Sequence, residues 1–234
     1  MRHVLRNLLE AEKAGKKQLA VLIDPEKFDP ETAKDFLQEL PSFTTHIFIG
    51  GSTVTSNEME SCVKAIKAET SLPLVLFPGD HQQISNSADA LLFLSLLSGR
   101  NPEYLIGQQV RSVALLKNSG LEIIPTGYLL IDGGRECAVQ RVSATAPLCQ
   151  QDPEYIVDTA LAGKYSGKQL IYLEAGSGAI HPVDPKIISV VKEATQISLI
   201  VGGGIRNAQQ LEAAWNAGAD LVVIGTAFEQ GLTL

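Results

Sequence analysis

Apolar positions gather into eight short runs, at residues 19–23, 46–50, 72–77, 88–95, 121–131, 169–174, 198–201 and 219–224. Most are dense in Val, Ile and Leu and do not alternate with polar residues. A strand with one wet face alternates, whereas a strand covered on both faces does not, so the pattern predicts parallel strands in an interior sheet. Helical patterns fill the intervals, at residues 30–40, 57–69, 102–118, 153–163, 185–194 and 208–217. Three of them open on Asp-Pro, at Asp29-Pro30, Asp152-Pro153 and Asp184-Pro185. There the carboxylate caps free amides and the proline sacrifices no hydrogen bond. Strands and helices alternating every 25 residues or so, about one βα unit each, fit a (β/α)8 TIM barrel; a doubly wound open sheet fits the same length. The glycines favour the barrel. Gly50-Gly51, Gly176-Ser177-Gly178, Gly202-Gly203-Gly204 and Gly225 each close a predicted strand. The last two follow the seventh and eighth strands, where barrels build phosphate sites from main-chain amides. The expectation is one TIM-barrel domain over 1–234, with a short or truncated last helix after Gly225.

Charge narrows the ligands. Lys plus Arg number 19 against 26 Asp plus Glu, a net charge of −7. A nucleic-acid partner calls for a basic face and is not expected. An anionic ligand would be held by local groups, not by the global field. The three cysteines, Cys62, Cys137 and Cys149, form no CxxC pair, which fits a reducing compartment and excludes a disulfide scaffold or a cysteine-built zinc site. No apolar stretch reaches the ~18 residues of a membrane span, and residues 1–17 lack the apolar core of a signal peptide. A cytoplasmic location without stable membrane insertion is expected, although one exposed apolar groove would let the chain handle a lipid.

Three constellations can carry chemistry. Gly203 and Gly204, before Ile205-Arg206-Asn207, and Gly225-Thr226 one strand later can bring backbone N–H groups close to a phosphate monoester. Taken singly, such glycines serve equally as tight turns. At the end of the sixth strand stands Tyr172-Leu173-Glu174-Ala175-Gly176-Ser177-Gly178. Tyr172 and Glu174 share a strand face, so Glu174 can orient or deprotonate a hydroxyl at the barrel rim, or simply pair with a cation there. His181 in place of a third glycine argues against a dinucleotide fingerprint. Asp24, closing the first strand, and Ser52, closing the second, offer a carboxylate and a hydroxyl to Mg²⁺, which keeps waters and borrows phosphate oxygens; Asp24-Pro25 is also an ordinary cap. The four histidines show no ligand spacing. Trp215 lies on an apolar helix side and reads as core. Residues 91–97 are unusually apolar, either a buried strand or the wall of a groove extended by Tyr104, Leu105 and Ile106.

Together these motifs resemble the geranylgeranylglyceryl phosphate synthase family, which includes the PcrB-type prenylglyceryl phosphate synthases. The resemblance runs over nearly the whole chain, through Leu22-Ile23-Asp24-Pro25, Phe48-Ile49-Gly50-Gly51-Ser52, Ala88-Asp89-Ala90, Gly127-Tyr128, the segment from Tyr172 to Gly178, Gly202-Gly203-Gly204-Ile205-Arg206 and Gly225-Thr226-Ala227. The long stretch 92–108 is more similar to the archaeal enzymes and their bacterial relatives than to the shorter PcrB type. The resemblance implies a prenyltransferase that joins a prenyl diphosphate, geranylgeranyl first, to the sn-3 hydroxyl of sn-glycerol 1-phosphate. It implies Mg²⁺ at Asp24 and Ser52, glycerol phosphate at Tyr172 to Gly178, Gly203, Gly204, Gly225 and Thr226, and a homo-oligomer, dimer or hexamer. Leu22 departs from the lysine of PcrB-type members. The competing readings are another phosphate-binding barrel of sugar-phosphate isomerase or aldolase type, the latter disfavoured because no predicted strand carries an interior lysine, and a non-catalytic phosphate- or lipid-binding relative.

Overall fold

The computed structural model describes residues 3–225. Eight strands form a closed barrel in chain order. They are β1 (Gln18–Ile23), β2 (His46–Ile49), β3 (Leu74–Leu76), β4 (Ala90–Leu96), β5 (Glu122–Leu130), β6 (Leu170–Glu174), β7 (Ser198–Gly202) and β8 (Leu221–Ile224). Every pairing is parallel, and β8 closes on β1 with Val21 opposite Ile224. The unbroken apolar runs are explained by burial on both faces. Phe48, Leu92, Ile124, Tyr172 and Ile200 fill the barrel interior. Their neighbours Leu19, Leu129, Ile171, Leu173, Leu199 and Val222 pack outward against helices.

The helices are α1 (Val4–Lys13), α2 (Ala33–Gln38), α3 (Ser56–Glu69), α4 (Gln108–Leu116), α5 (Ala138–Ser143), α6 (Pro153–Tyr165), α7 (Pro185–Thr195) and α8 (Ala208–Asn216). Asp152 and Asp184 cap α6 and α7 as their Asp-Pro pairs predict. Asp29 caps a 3₁₀ turn, Pro30–Thr32, that leads into α2. The pattern over 102–118 divides into a π turn, Glu103–Gly107, and α4. Two helices leave no mark in the apolar pattern along the chain. One is α5, only six residues long. The other is α1, whose Val4 and Leu8 join the interior core, while Glu122 at the start of β5 accepts hydrogen bonds from the Val4 and Leu5 amides. The expected eighth helix after Gly225 lies outside the described residues. Trp215 is half-buried against the outer core, and its indole N–H donates to the Gln18 carbonyl at 3.0 Å. No described helix is long and apolar enough to cross a membrane.

Candidate active site

The C-terminal ends of the strands surround a cleft of about 410 Å³. Tyr172 and Glu174 enter it from β6, two residues apart and therefore on the same face. Register places Glu174 between Leu130 of β5 and Gly202 of β7. That neighbour must be glycine: a Cβ at Gly202 would lie 2.5 Å from the Tyr172 hydroxyl and 2.7 Å from Glu174 Oε2. Glu174 is 7% exposed, and its Oε1 accepts the Gly176 amide at 2.8 Å. Burial raises its pKa to about 6, against the opposing pull of the Tyr172 hydroxyl and the Gly176 amide. The carboxylate is thus ionised at neutral pH but far closer to that pH than a solvated one. The buried Tyr172 hydroxyl makes no hydrogen bond of regular geometry, although it lies close enough to Glu174 to influence its charge. The two observations describe one skewed contact that directs the single Tyr172 O–H toward Glu174.

Around this pair the chain turns on left-handed glycines. Gly176, Gly178, Gly203 and Gly204 have φ of 98°, 73°, 82° and 72°. At Gly203 a Cβ would meet Glu174 Oε1 at 2.5 Å, and at Gly204 the His181 carbonyl oxygen at 2.8 Å. These residues bring backbone where a side chain cannot fit. Among the described residues, the Gly203 and Gly204 amides donate to no backbone carbonyl, which suits them to an anion. Arg206 ties the two loops together: its guanidinium donates to the carbonyls of Ala179 and, at 3.4 Å, Ile180. The GGGIR motif displayed this arginine, but its bracing role depends on β6 and β7 being neighbours.

Gly176, Ser177, Gly178, Gly203, Gly204 and Gly225 line the cleft with Tyr172 and Glu174. Leu173 and Ala175 do not; their side chains point into the outer core, because alternate residues of a strand face opposite ways. Ala175 contributes backbone, its amide donating to the Gly202 carbonyl at 3.0 Å. Thr226 lies outside the described residues.

Asp24 and Ser52 line the opposite side of the same cleft. Gly51 separates them, and a Cβ there would sit 2.8 Å from Asp24 Oδ1. Asp24 accepts the Glu26 amide at 3.2 Å and pairs with Lys27 at 3.3 Å. Among the described residues no group of three or more His, Cys, Asp or Glu side chains could enclose a metal. One carboxylate and one hydroxyl match an ion that takes its remaining ligands from water and substrate, as Mg²⁺ does, and not one wrapped in protein ligands.

Between these corners the cleft is apolar. Leu92, Leu94 and Leu96 of β4, with Tyr104, Val139 and Val142, line it. Phe77, Tyr128 and Tyr172 form an aromatic cluster there, with Phe77 stacked on Tyr172 at 5.1 Å and Tyr128 edge-on to Tyr172 at 5.4 Å. Leu22 also faces the cleft, an aliphatic contact from β1. The run at 91–97 is therefore both a buried strand and a groove wall. Leu105 and Ile106 are not part of that wall; Ile106 is 58% exposed, because the π turn sets only Tyr104 of these three toward the groove. Val139 and Val142 were not foreseen, since α5 is too short to announce itself in a periodic pattern.

The PcrB family model matches residues 12–232. The geranylgeranylglyceryl phosphate synthase of Zunongwangia profunda is 60% identical over 231 residues, covering 99% of each chain. That of Flavobacterium johnsoniae is 52% identical over 225 residues, 96% of this chain and 93% of its own. The crystal structure of (S)-3-O-geranylgeranylglyceryl phosphate synthase from Thermoplasma acidophilum, in complex with sn-glycerol-1-phosphate, superposes with a TM-score of 0.92 at 37% identity. It covers 98% of this chain and 93% of that one. With the barrel, the glycine loops and the buried Glu174 already in place, these matches establish that the chain belongs to the PcrB family.

Proposed function

We propose that the chain is a prenyltransferase that joins geranylgeranyl diphosphate to the sn-3 hydroxyl of sn-glycerol 1-phosphate, forming an ether and releasing diphosphate. The observation that carries this reading is the buried Glu174–Tyr172 pair, set between loops of left-handed glycines and a groove of leucines and aromatic rings. A phosphate suits the glycine end and a hydrocarbon suits the groove. The Gly203, Gly204 and Gly225 backbone, with Thr226 and the β6 loop, would hold the monoester. Glu174 then accepts the hydrogen bond of the attacking hydroxyl, and Tyr172 fixes its orientation. The allylic C–O bond breaks with its electron pair leaving on the diphosphate. The hydroxyl oxygen bonds to the prenyl carbon, and its proton passes to Glu174. A carboxyl with a pKa of about 6 accepts that proton more readily than a solvated one. The apolar walls keep water from the electron-poor carbon. Asp24 and Ser52 would hold Mg²⁺, whose charge, when bound, favours diphosphate departure.

Labelled sn-glycerol 1-phosphate incubated with geranylgeranyl diphosphate tests this directly. A prenyl ether lost on adding EDTA is expected. Binding of both compounds without product would leave only a non-catalytic relative. Asp24→Ala should abolish turnover while the thermal unfolding profile stays close to wild type; retained activity would remove Asp24 from the metal site. We also place the protein in the cytoplasm as a homo-oligomer. Exposed apolar residues Ile106, Val110 and Val113, at helical spacing, support assembly, and light scattering measures it.

A further inference from the structure

Among the described residues lining the cleft, three side chains can carry positive charge, Lys27, His81 and Arg206, and four are carboxylates, Asp24, Glu26, Asp80 and Glu174. A diphosphate would add about two to three negative charges, so cations near it are needed. Arg206 is committed to carbonyl oxygens of the β6 loop, and Lys27 sits 3.3 Å from Asp24. His81 is placed differently. It belongs to the segment Pro78-Gly79-Asp80-His81 at the start of the connection from β3 to β4. That loop rests on the diphosphate side of the cleft: a Cβ at Gly79 would be 2.7 Å from the Gly51 carbonyl oxygen and 3.1 Å from Ser52 Cα.

The hydrogen bonds around His81 determine its tautomer. Its backbone N–H donates to Gln108 Oε1 at 2.9 Å, so that Gln108 atom must be an acceptor. The same oxygen lies 3.0 Å from His81 Nδ1, and Asp80 Oδ2 lies 3.2 Å from it. Two acceptors facing Nδ1 require Nδ1 to carry the hydrogen. Among the described residues both ring contacts run through Nδ1, and Nε2 is the ring nitrogen left to meet a ligand in the cleft. A ring protonated on both nitrogens can donate Nε2–H to an anion in the cleft while Nδ1–H stays with Gln108 and Asp80.

We infer that His81 contacts the diphosphate group of the prenyl substrate through Nε2–H, with Asp80 and Gln108 as positioning residues. This rests on the prenyltransferase reading for the identity of the substrate, but it can be measured without turnover. Inorganic pyrophosphate in magnesium-containing buffer is the probe, and isothermal titration calorimetry is the readout. His81→Ala should weaken pyrophosphate about tenfold or more, as loss of a charge-assisted contact does, with sn-glycerol 1-phosphate affinity held within about twofold. Gln108→Leu should also weaken pyrophosphate. Gln108→Glu keeps an acceptor oxygen at the same reach and should restore it. Wild-type affinity in His81→Ala, equal loss of affinity for both probes, or no pyrophosphate binding by the wild type would each overturn the inference. Wild-type behaviour of Gln108→Leu would overturn the positioning roles. Pyrophosphate binding that depends on His81, in a protein that makes no prenyl ether, would instead sink the prenyltransferase reading and leave the anion contact standing.

Discussion

Glu174 combines two demands that oppose each other. The barrel mouth must exclude water from a reactive carbon, and the same exclusion penalises a carboxylate. Burial therefore raises its pKa from the usual 4.5 to about 6. The sign of the stability effect follows. Between those two values the folded state binds more protons than the unfolded chain, so stability falls as pH rises through the window. Raised to about 6, the carboxyl costs about 2 kcal/mol of stability at pH 7, none of it present well below pH 4.5. Buried His46, its pKa lowered to about 4, titrates over the same range with the opposite sign, so the loss is read as the difference between wild type and Glu174→Gln in chemical denaturation at pH 4 and pH 7.5, the variant gaining on wild type as pH rises. Activity runs the other way. The ionised form holds the acceptor hydroxyl, so kcat/KM for glycerol phosphate should fall as pH drops through about 6. Glu174→Gln should lower kcat/KM by on the order of 1.5–3 kcal/mol, the range for a hydrogen bond to a charged acceptor. An unchanged value would make Glu174 a structural residue. Gly203→Ala combines φ of 82° with a Cβ 2.5 Å from Glu174 Oε1. The same Cβ would meet the backbone nitrogens of Gly176 at 2.6 Å and Ala175 at 2.9 Å, so the substitution should lower both the melting temperature and the activity; a wild-type melt with wild-type activity would show that the loop yields.

The strands owe their order to interactions at both barrel ends. At the catalytic end, β6 supplies the polar pair and β7 supplies the glycines that make room for it; neither motif is intelligible without the other. At the far end, Lys192 of α7 binds Asp220, before β8, at 2.7 Å and Glu12 of α1 at 2.6 Å. Ser198 also donates to Glu12. These partly buried charges join α1, α7, β7 and β8. Lys192→Met would leave Asp220 facing Glu12 without its cation, and should cost roughly 2–4 kcal/mol by urea denaturation, near the range for breaking a buried pair. A loss below about 0.5 kcal/mol would place the group with ordinary surface pairs. The sequence already displayed the strands and most helices, since unbroken Val, Ile and Leu runs and Asp-Pro caps act locally. It concealed α1, because that helix earns its place by closing the barrel floor with Val4 and Leu8 and by Glu122 holding its first turn, contacts about 118 positions away along the chain.

The molecule as a whole separates three chemistries around one cleft: backbone amides and Glu174 at one corner, Asp24 and Ser52 at another, and aliphatic and aromatic walls between. A net charge of −7 is compatible with two anionic substrates only if each is held locally. On this arrangement, raising ionic strength from 0.05 to 0.5 M should not steeply lower kcat/KM for glycerol phosphate, as it would if a basic field steered the substrate. A steep fall would point to long-range steering.

The linear pattern determined the alternation of buried parallel strands with helices, the glycine positions and the identity of the polar pair on β6, because strand burial, turn conformation and side-chain alternation are properties of neighbouring residues, whereas closure of the sheet rests on the distant pairing of β8 with β1. It could not separate Leu173 and Ala175 from the cleft-lining members of their own segment, nor recruit Val139, Val142 and His81 to the site. Those outcomes depend on which strands lie side by side and on where β3, α4 and α5 meet. Only barrel closure brings together residues so distant in the chain, and burial at that junction then sets both the Glu174 charge and the shape of the groove.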